Sequence, residues 1–276
     1  MRKLKTILPL CLALVSVPGC RSLVLEDRGE CPVFLFYDLV DRCELADGET
    51  IVLSVWDAEG GNLLTKASAE LGQIGTRDYW LSFHKTPEVV ATGVLGLRGD
   101  YSGDVSTVSI PYGQEGLPLW RFSAPAEALS EEVIVPVVIR KDYSRVKVRF
   151  LYPDGAFPYS VYLDGNTSGI DLISGKPIEG PFHCEPRERA SGEFEFVAPR
   201  QLDYSLALEL WGKGGEDGER GHVDDIVLWD FLRKVEGFDW AADTLPDIDV
   251  EIDFVRSSVT VSVNGWSIAA TISLTI

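Results

Sequence analysis

The first residue of this sequence with a chemistry of its own is Cys20, in the stretch Val17-Pro18-Gly19-Cys20. Arg2, Lys3 and Lys5 form a basic head, residues 6–17 are largely apolar, and residues 1–19 contain no acid. That is the build of an export signal. Its apolar run is shorter than the ~20 residues a membrane-spanning helix needs. A branched aliphatic residue, two more residues and then Cys, with a small residue just before it, has the pattern of a lipobox. The thiol matters because a thioether carries the diacylglycerol. With the new amine acylated as well, several chains hold the protein, where one alone would be marginal. Cys11 fits worse, because Leu10 precedes it and the apolar run continues past it. Residues 1–19 therefore read as a lipoprotein signal peptide, Cys20 as the lipid attachment site, and residues 20–30 as a lipidated tether.

No other set of residues assembles a reaction centre in the sequence. His84, His183 and His222 lie far apart with no ligand spacing, which reads as isolated imidazoles rather than a metal site or triad. His183 and Cys184 are adjacent, so an extended backbone sends them to opposite sides. Residues 163–171, LDGNTSGID, begin like a calcium loop, but the twelfth position is Gly175 rather than Glu and no helices flank it. A glycine-rich turn accounts for that composition. The glycines of residues 212–221 have no basic group poised over a phosphate site and no strand-to-helix pattern, which reads as a mobile loop. Asp247, Asp249, Glu251 and Asp253 line one strand face and read as a solvated stripe that discourages edge pairing. Arg98-Gly99-Asp100 reads as a hairpin tip before Tyr101. These readings give no catalytic residue, no cofactor and no metal; the chain is expected not to be an enzyme.

Charge narrows the partners. The net charge is −18, and removal of residues 1–19 with their three positive charges takes it to −21. Such a chain does not bind nucleic acid by neutralising phosphates, nor anionic lipid by charge. The lipid must hold it at a membrane. Of the cysteines left after Cys20, Cys31 and Cys43 bracket an extended run of ~26 Å, beyond disulfide reach, so that pair is not expected to bond, and the disulfide state of Cys31, Cys43 and Cys184 stays open.

Period-2 alternation dominates from Val33 onward. Residues 33–40, VFLFYDLV, are apolar on nearly both faces and read as a strand inside a sandwich. Pro136 places the run EEVIVPVVI at an edge or a bulge. In DIDVEIDF, Ile248, Val250, Ile252 and Phe254 oppose four acids. Asn264-Gly265 between TVSV and WSIAATISLTI is a hairpin signal, because both residues tolerate positive φ. One helix is expected over residues 224–237, with Leu228, Phe231, Leu232 and Val235 on one face, Asp224 or Asp225 as its cap and Gly237 at its end. The fold expected is all-β, with two sandwich domains over residues 31–142 and 143–276 and one short helix in the second.

The lipobox, the tether ending in Cys31-Pro32, the strand with Tyr37-Asp38, the run VVIRKDYSRVKV and the closing helix, strand and strand with Asn264-Gly265-Trp266 occur in this order. Together they resemble the fimbrial anchor lipoproteins of Bacteroidales, over essentially the whole chain after Cys20. Pro18 and the short segment after Trp266 are departures from that pattern. The resemblance implies two transthyretin-like β-sandwiches, no enzymatic activity, a lipid anchor in the outer membrane at the cell surface, and a role at the base of a fimbrium. It implies a fimbrillin of the shaft as partner. Two uses of the C-terminal run stay open. Trp266, Ile268, Ile272, Leu274 and Ile276 alternate like pocket-filling residues that a neighbour could receive, or the run completes its own domain. The alternative function is a surface glycan-binding lipoprotein, for which exposed members of the set Trp56, Trp80, Trp120, Trp211, Trp229, Trp240 and Trp266 would be needed; mostly core roles are expected.

Overall fold

The computed structural model describes residues 31–41, 43–96, 105–153, 156–203, 205–213 and 221–271. Cys20, the signal and tether segments, Arg98-Gly99-Asp100, residues 214–220 and Ile272, Leu274 and Ile276 lie outside the described residues. The strands of the first half are β1 (Pro32–Asp41), β2 (Thr50–Asp57), β3 (Leu63–Glu70), β4 (Leu81–His84), β5 (Glu88–Leu95), β6 (Thr107–Ser109), β7 (Trp120–Glu127), β8 (Glu132–Val138) and β9 (Arg140–Lys141). Those of the second are β10 (Tyr143–Leu151), β11 (Tyr159–Asp171), β12 (Pro177–Cys184), β13 (Arg187–Ala190), β14 (Glu193–Pro199), β15 (Ala207–Gly212), β16 (His222–Val227), β17 (Ile248–Asp253), β18 (Ser258–Val263) and β19 (Trp266–Thr271). Among the described residues one helix, α1 (Trp229–Leu232), comes after β16.

The fold is all-β. A three-stranded sheet in the order β4-β1-β8 faces a five-stranded sheet β3-β2-β5-β7-β9. Between them lies a core that includes Leu35, Leu53, Ile51, Val135 and Ile139. A six-stranded sheet β13-β14-β10-β17-β18-β19 faces β12-β11-β15-β16 over a second core containing Phe196, Leu163, Leu208 and Ile252. Most strands pack one face inward and wet the other, which is why the sequence alternates, whereas β5 is buried on both faces from Val89 to Leu95. In β8, Val133, Val135 and Val137 are buried while Ile134 and Val138 are exposed, and β8 is an edge strand, as Pro136 requires. The turn after β2 also obeys the sequence: Gly61 has φ 63, and Asp57 accepts the amides of Glu59 and Gly60.

Four expectations change. β1 alternates, with Val33, Leu35 and Tyr37 buried and Phe34 and Phe36 half-buried on the outer face, where Phe34 meets Trp80 edge-on. Aromatic residues on that face make the run look apolar throughout. The helix is one turn, not four. Residues 222–227 form β16 against β15, so Asp224 and Asp225 belong to a strand and cap nothing. Leu228, Phe231, Leu232 and Val235 are all buried, so the periodicity marks a buried face that a turn of helix and its continuing turns satisfy. Residues 163–171 are the C-terminal two-thirds of β11 rather than a turn; register shifts at Gly165, Thr167 and Gly169 absorb the glycines as bulges. The acidic stripe is solvated at Asp247, Asp249 and Glu251 but buried at Asp253, and β17 is an interior strand between β10 and β18. Asp249 pairs across with Lys147 and Glu251 with Arg149, so the stripe is neutralised by its neighbour, while Asp253 accepts the amides of Val255 and Arg256 at the next turn.

The halves interlock. β6, drawn from the first half, pairs with β11 of the second, and Val94, Val108, Leu119, Ile170 and Leu172 form a third small core between them. Within β5, Gly93 lies directly opposite Phe122 of β7, and a Cβ added there would sit 2.0 Å from the ring. The ring occupies the space a side chain would need. Gly93→Ala is therefore expected to cost about 1–3 kcal/mol, read as a lower midpoint in denaturant with unchanged slope. A midpoint equal to that of the parent would show that the ring moves aside freely.

Candidate functional site

The C-terminal strand β19 follows from its turn. Asn264 has φ 50 and Gly265 φ 81, the conformation a tight two-residue hairpin demands. This returns the chain along β18 with Val263 opposite Trp266, Val261 opposite Ile268 and Val259 opposite Ala270. Ile268 and Ala270 are half-buried against the second core, and Trp266 is 57% exposed. Residues 266–271 thus complete the chain's own sheet. Among the described strands, β19 is the last in its sheet and pairs on one side only. Giving these six residues to a neighbour would break the ladder to β18; its outer edge needs no such break.

A second constellation is not legible in the sequence. On the outer face of the sheet β12-β11-β15-β16, Asp164 stands opposite His183 across β11 and β12. Its Oδ1 lies 2.6 Å from His183 Nδ1. Glu209, on β15, completes a group whose ligand-type atoms all lie within 4.8 Å of one another. The imidazole is flanked by Tyr112 and Tyr162, stacked at 5.0 and 4.9 Å. Trp211 donates its indole N–H to Glu209 Oε2 at 3.0 Å. Burial and the neighbouring Glu209 push the Asp164 carboxyl up to about 6, while the hydrogen bond with Asp164 holds Glu209 below its ordinary value. His183 is therefore not an isolated imidazole. Its partners are 19 and 26 residues away, a separation only strand pairing closes. Cys184, next along β12, points into the core as the adjacency rule requires, and burial pushes its thiol up to about 12.

The other predicted groups stay apart. His222 pairs with Asp225 at 2.7 Å on an exposed face, and that hydrogen bond raises its pKa. His84 ends β4, where it is exposed. Among the described residues, Cys31, Cys43 and Cys184 form no disulfide with one another. Trp56 and Trp240 are buried; Trp120, Trp211 and Trp229 are half-buried; Trp80 and Trp266 are exposed, one on each sandwich. No helix among the described residues is long and apolar enough to cross a membrane.

No family model matches the sequence, and no curated protein does. Solved structures are similar to it in backbone. The fimbrial anchor protein Mfa2 from Porphyromonas gingivalis superposes with a TM-score of 0.60 at 12% identity, over 86% of this chain and 99% of that one. A candidate polysaccharide-binding protein from Bacteroides thetaiotaomicron gives 0.59 at 16% identity, over 88% and 99%. A candidate adhesin from Bacteroides ovatus gives 0.58 at 13%, over 87% and 95%. At these identities the likeness is one of fold, and it runs through nearly the full length of each of those chains.

Proposed function

We propose that this chain is an outer-membrane lipoprotein, fixed through Cys20, that anchors a fimbrium at the cell surface and ends its assembly at the base. The observation that carries the reading is the position of β1. It begins twelve residues after Cys20 and is the central strand of its sheet, antiparallel to β4 and parallel to β8. The tether thus runs directly into a strand whose Val33, Leu35 and Tyr37 are buried in the first core. Pull on the lipid passes into two hydrogen-bonded ladders rather than a loose end. A subunit that loses its first strand opens a groove for a neighbour; here loss of β1 would sever the anchor. β1 fills its own groove, so the chain takes no strand there and stops the polymer. The shaft fimbrillin then engages elsewhere, and the outer edge of β19, far along the chain from the tether, offers a ladder for strand addition.

The fold shared with Mfa2 supports this reading, as do the lipobox and the strongly acidic body. It involves no enzymatic step. The glycan-binding alternative is weaker: the two exposed indoles, Trp80 and Trp266, sit on different sandwiches and form no shared platform.

Cys20→Ala tests the proposal. Because the residue precedes every described strand, the body should keep its fold. Radiolabelled palmitate should mark the parent and not the variant, and the variant should leave the membrane fraction. In the native host, fimbriae should be shed into the medium and lengthen. Equal labelling would refute the lipid site; loss of the label with fimbriae still attached would refute the anchor.

A further inference from the structure

The cluster on the outer face of β12, β11 and β15 takes no part in tethering or strand addition, yet it is built with more care than a solvated surface needs. Its three side chains come from three neighbouring strands, not from loops, so their spacing is fixed by the ladders. Two of them are also held from outside the cluster. Two tyrosine rings fix the plane of His183, and the Trp211 indole fixes one oxygen of Glu209.

We propose that Asp164, His183 and Glu209 form a binding site for a divalent transition-metal ion such as zinc. One imidazole nitrogen and two carboxylates are a donor set that suits such ions. Calcium prefers six to eight oxygens, and this group offers too few. As a carboxylate, Asp164 has a buried Oδ2 that meets no hydrogen-bond donor among the described residues. A buried carboxylate oxygen without a donor is costly, and a second carboxylate beside it makes the position worse. A cation between the two removes both costs together and takes the place of the proton between Nδ1 and Oδ1. The ion would fasten β11, β12 and β15 on the face where the loop carrying Tyr112 folds over. That loop is tied to β12 by the Gly113 amide, which donates to the His183 carbonyl at 2.8 Å.

The test uses the full chain without an affinity tag, purified in detergent and stripped with a chelator. Titration with zinc chloride by calorimetry should show one saturable site. Cobalt in its place should give the visible absorption of a four-coordinate ion, three ligands from the chain and one from solvent. Asp164→Asn, His183→Gln and Glu209→Gln should each weaken zinc by more than 10-fold, and Trp211→Phe, which only releases Glu209, by about 10-fold. His222→Gln should change nothing, since that ring lies in a separate pair with Asp225. The proposal fails if the native chain takes up no zinc, or if His183→Gln leaves uptake intact, or if His222→Gln abolishes it. Should a cluster variant misfold by circular dichroism, the native and His222→Gln chains still decide: uptake in both supports the site, and loss in either overturns it.

Discussion

Asp142→Ala is expected to lower the stability of the chain by about 3–5 kcal/mol, among the largest losses any single substitution here should cause. Asp142 stands between β9 and β10, where the chain passes from one sandwich to the other, and its side chain is 2% exposed. Its two oxygens hold two guanidinium groups. Arg121 of β7 donates from Nε to Oδ2 at 2.9 Å, and Arg200, just after β14, donates from Nε to Oδ1 at 2.6 Å. Each arginine then reaches on across the junction. Arg121 donates to the Gly175 carbonyl at 2.8 Å; Arg200 donates to the carbonyls of Trp240 and Ala242. Alanine would leave two nearly buried positive charges facing each other with no anion, and that repulsion with lost solvation is where the cost arises. Asp142→Asn keeps one acceptor oxygen and should cost less. Equilibrium unfolding in urea measures both. A shift under about 1 kcal/mol for Asp142→Ala would mean that the β6–β11 ladder and the small core of Val108, Leu119 and Ile170 hold the junction without the ion group.

How legible the fold is in the sequence depends on the distance over which each feature is made. The alternation of β8, β10 and β17 is local, since a strand with one wet face must repeat every two residues, and those strands lie where the pattern puts them. The Asn264-Gly265 turn is local for the same reason. The helix expected over residues 224–237 shrinks to one turn because a buried apolar face at spacing 3.6 does not require a helix when β15 offers a ladder to residues 222–227. The glycines of β11 mislead in the opposite direction. Gly165 and Gly169 are there because Gln201 and the Val108 carbonyl approach too closely for a Cβ, a tertiary demand that looks like a turn from within the sequence. The Asp142 junction is hidden for a related reason: one acid between a lysine and a tyrosine says nothing about arginines 21 and 58 residues away.

The functional residues divide the same way. The proposed lipid site Cys20 is legible because a processing signal of that kind is read from the unfolded chain and must be local. Asp164, His183 and Glu209 are not, because cross-strand register assembles them and no spacing rule in one dimension encodes it. β19 lies between these cases. Its turn and its alternation are visible, but whether the strand pairs with its own sheet is a matter of what stands beside it, and β18 does.

Leu35→Ala should separate the strand that holds the anchor from the strand that offers an edge. Leu35 is fully buried in β1, with Leu81 of β4 on one side and Val133 of β8 on the other. A truncation between two ladders leaves a cavity that neither neighbour can close alone, and the expected loss is about 2–5 kcal/mol. Ile268→Ala in β19 removes a half-buried side chain at the end of a sheet, where solvent and the rest of the strand can adjust, so about 1 kcal/mol is expected there. Hydrogen exchange locates each effect. In Leu35→Ala, amides of β1, β4 and β8 should lose protection while those of β10 and β17 keep theirs; in Ile268→Ala the loss should stay within β18 and β19. The proposed lipid site, Cys20, is untouched in both, so both should remain in the membrane fraction. The two variants should part under proteolysis at the cell surface. A loosened β1 exposes the joint between tether and body, so a protease added to intact cells should release the body of Leu35→Ala faster than that of Ile268→Ala. Equal release rates, or an equal loss of stability, would show that β1 is no more central to holding the body than an edge strand, and would remove the physical basis for reading this chain as an anchor.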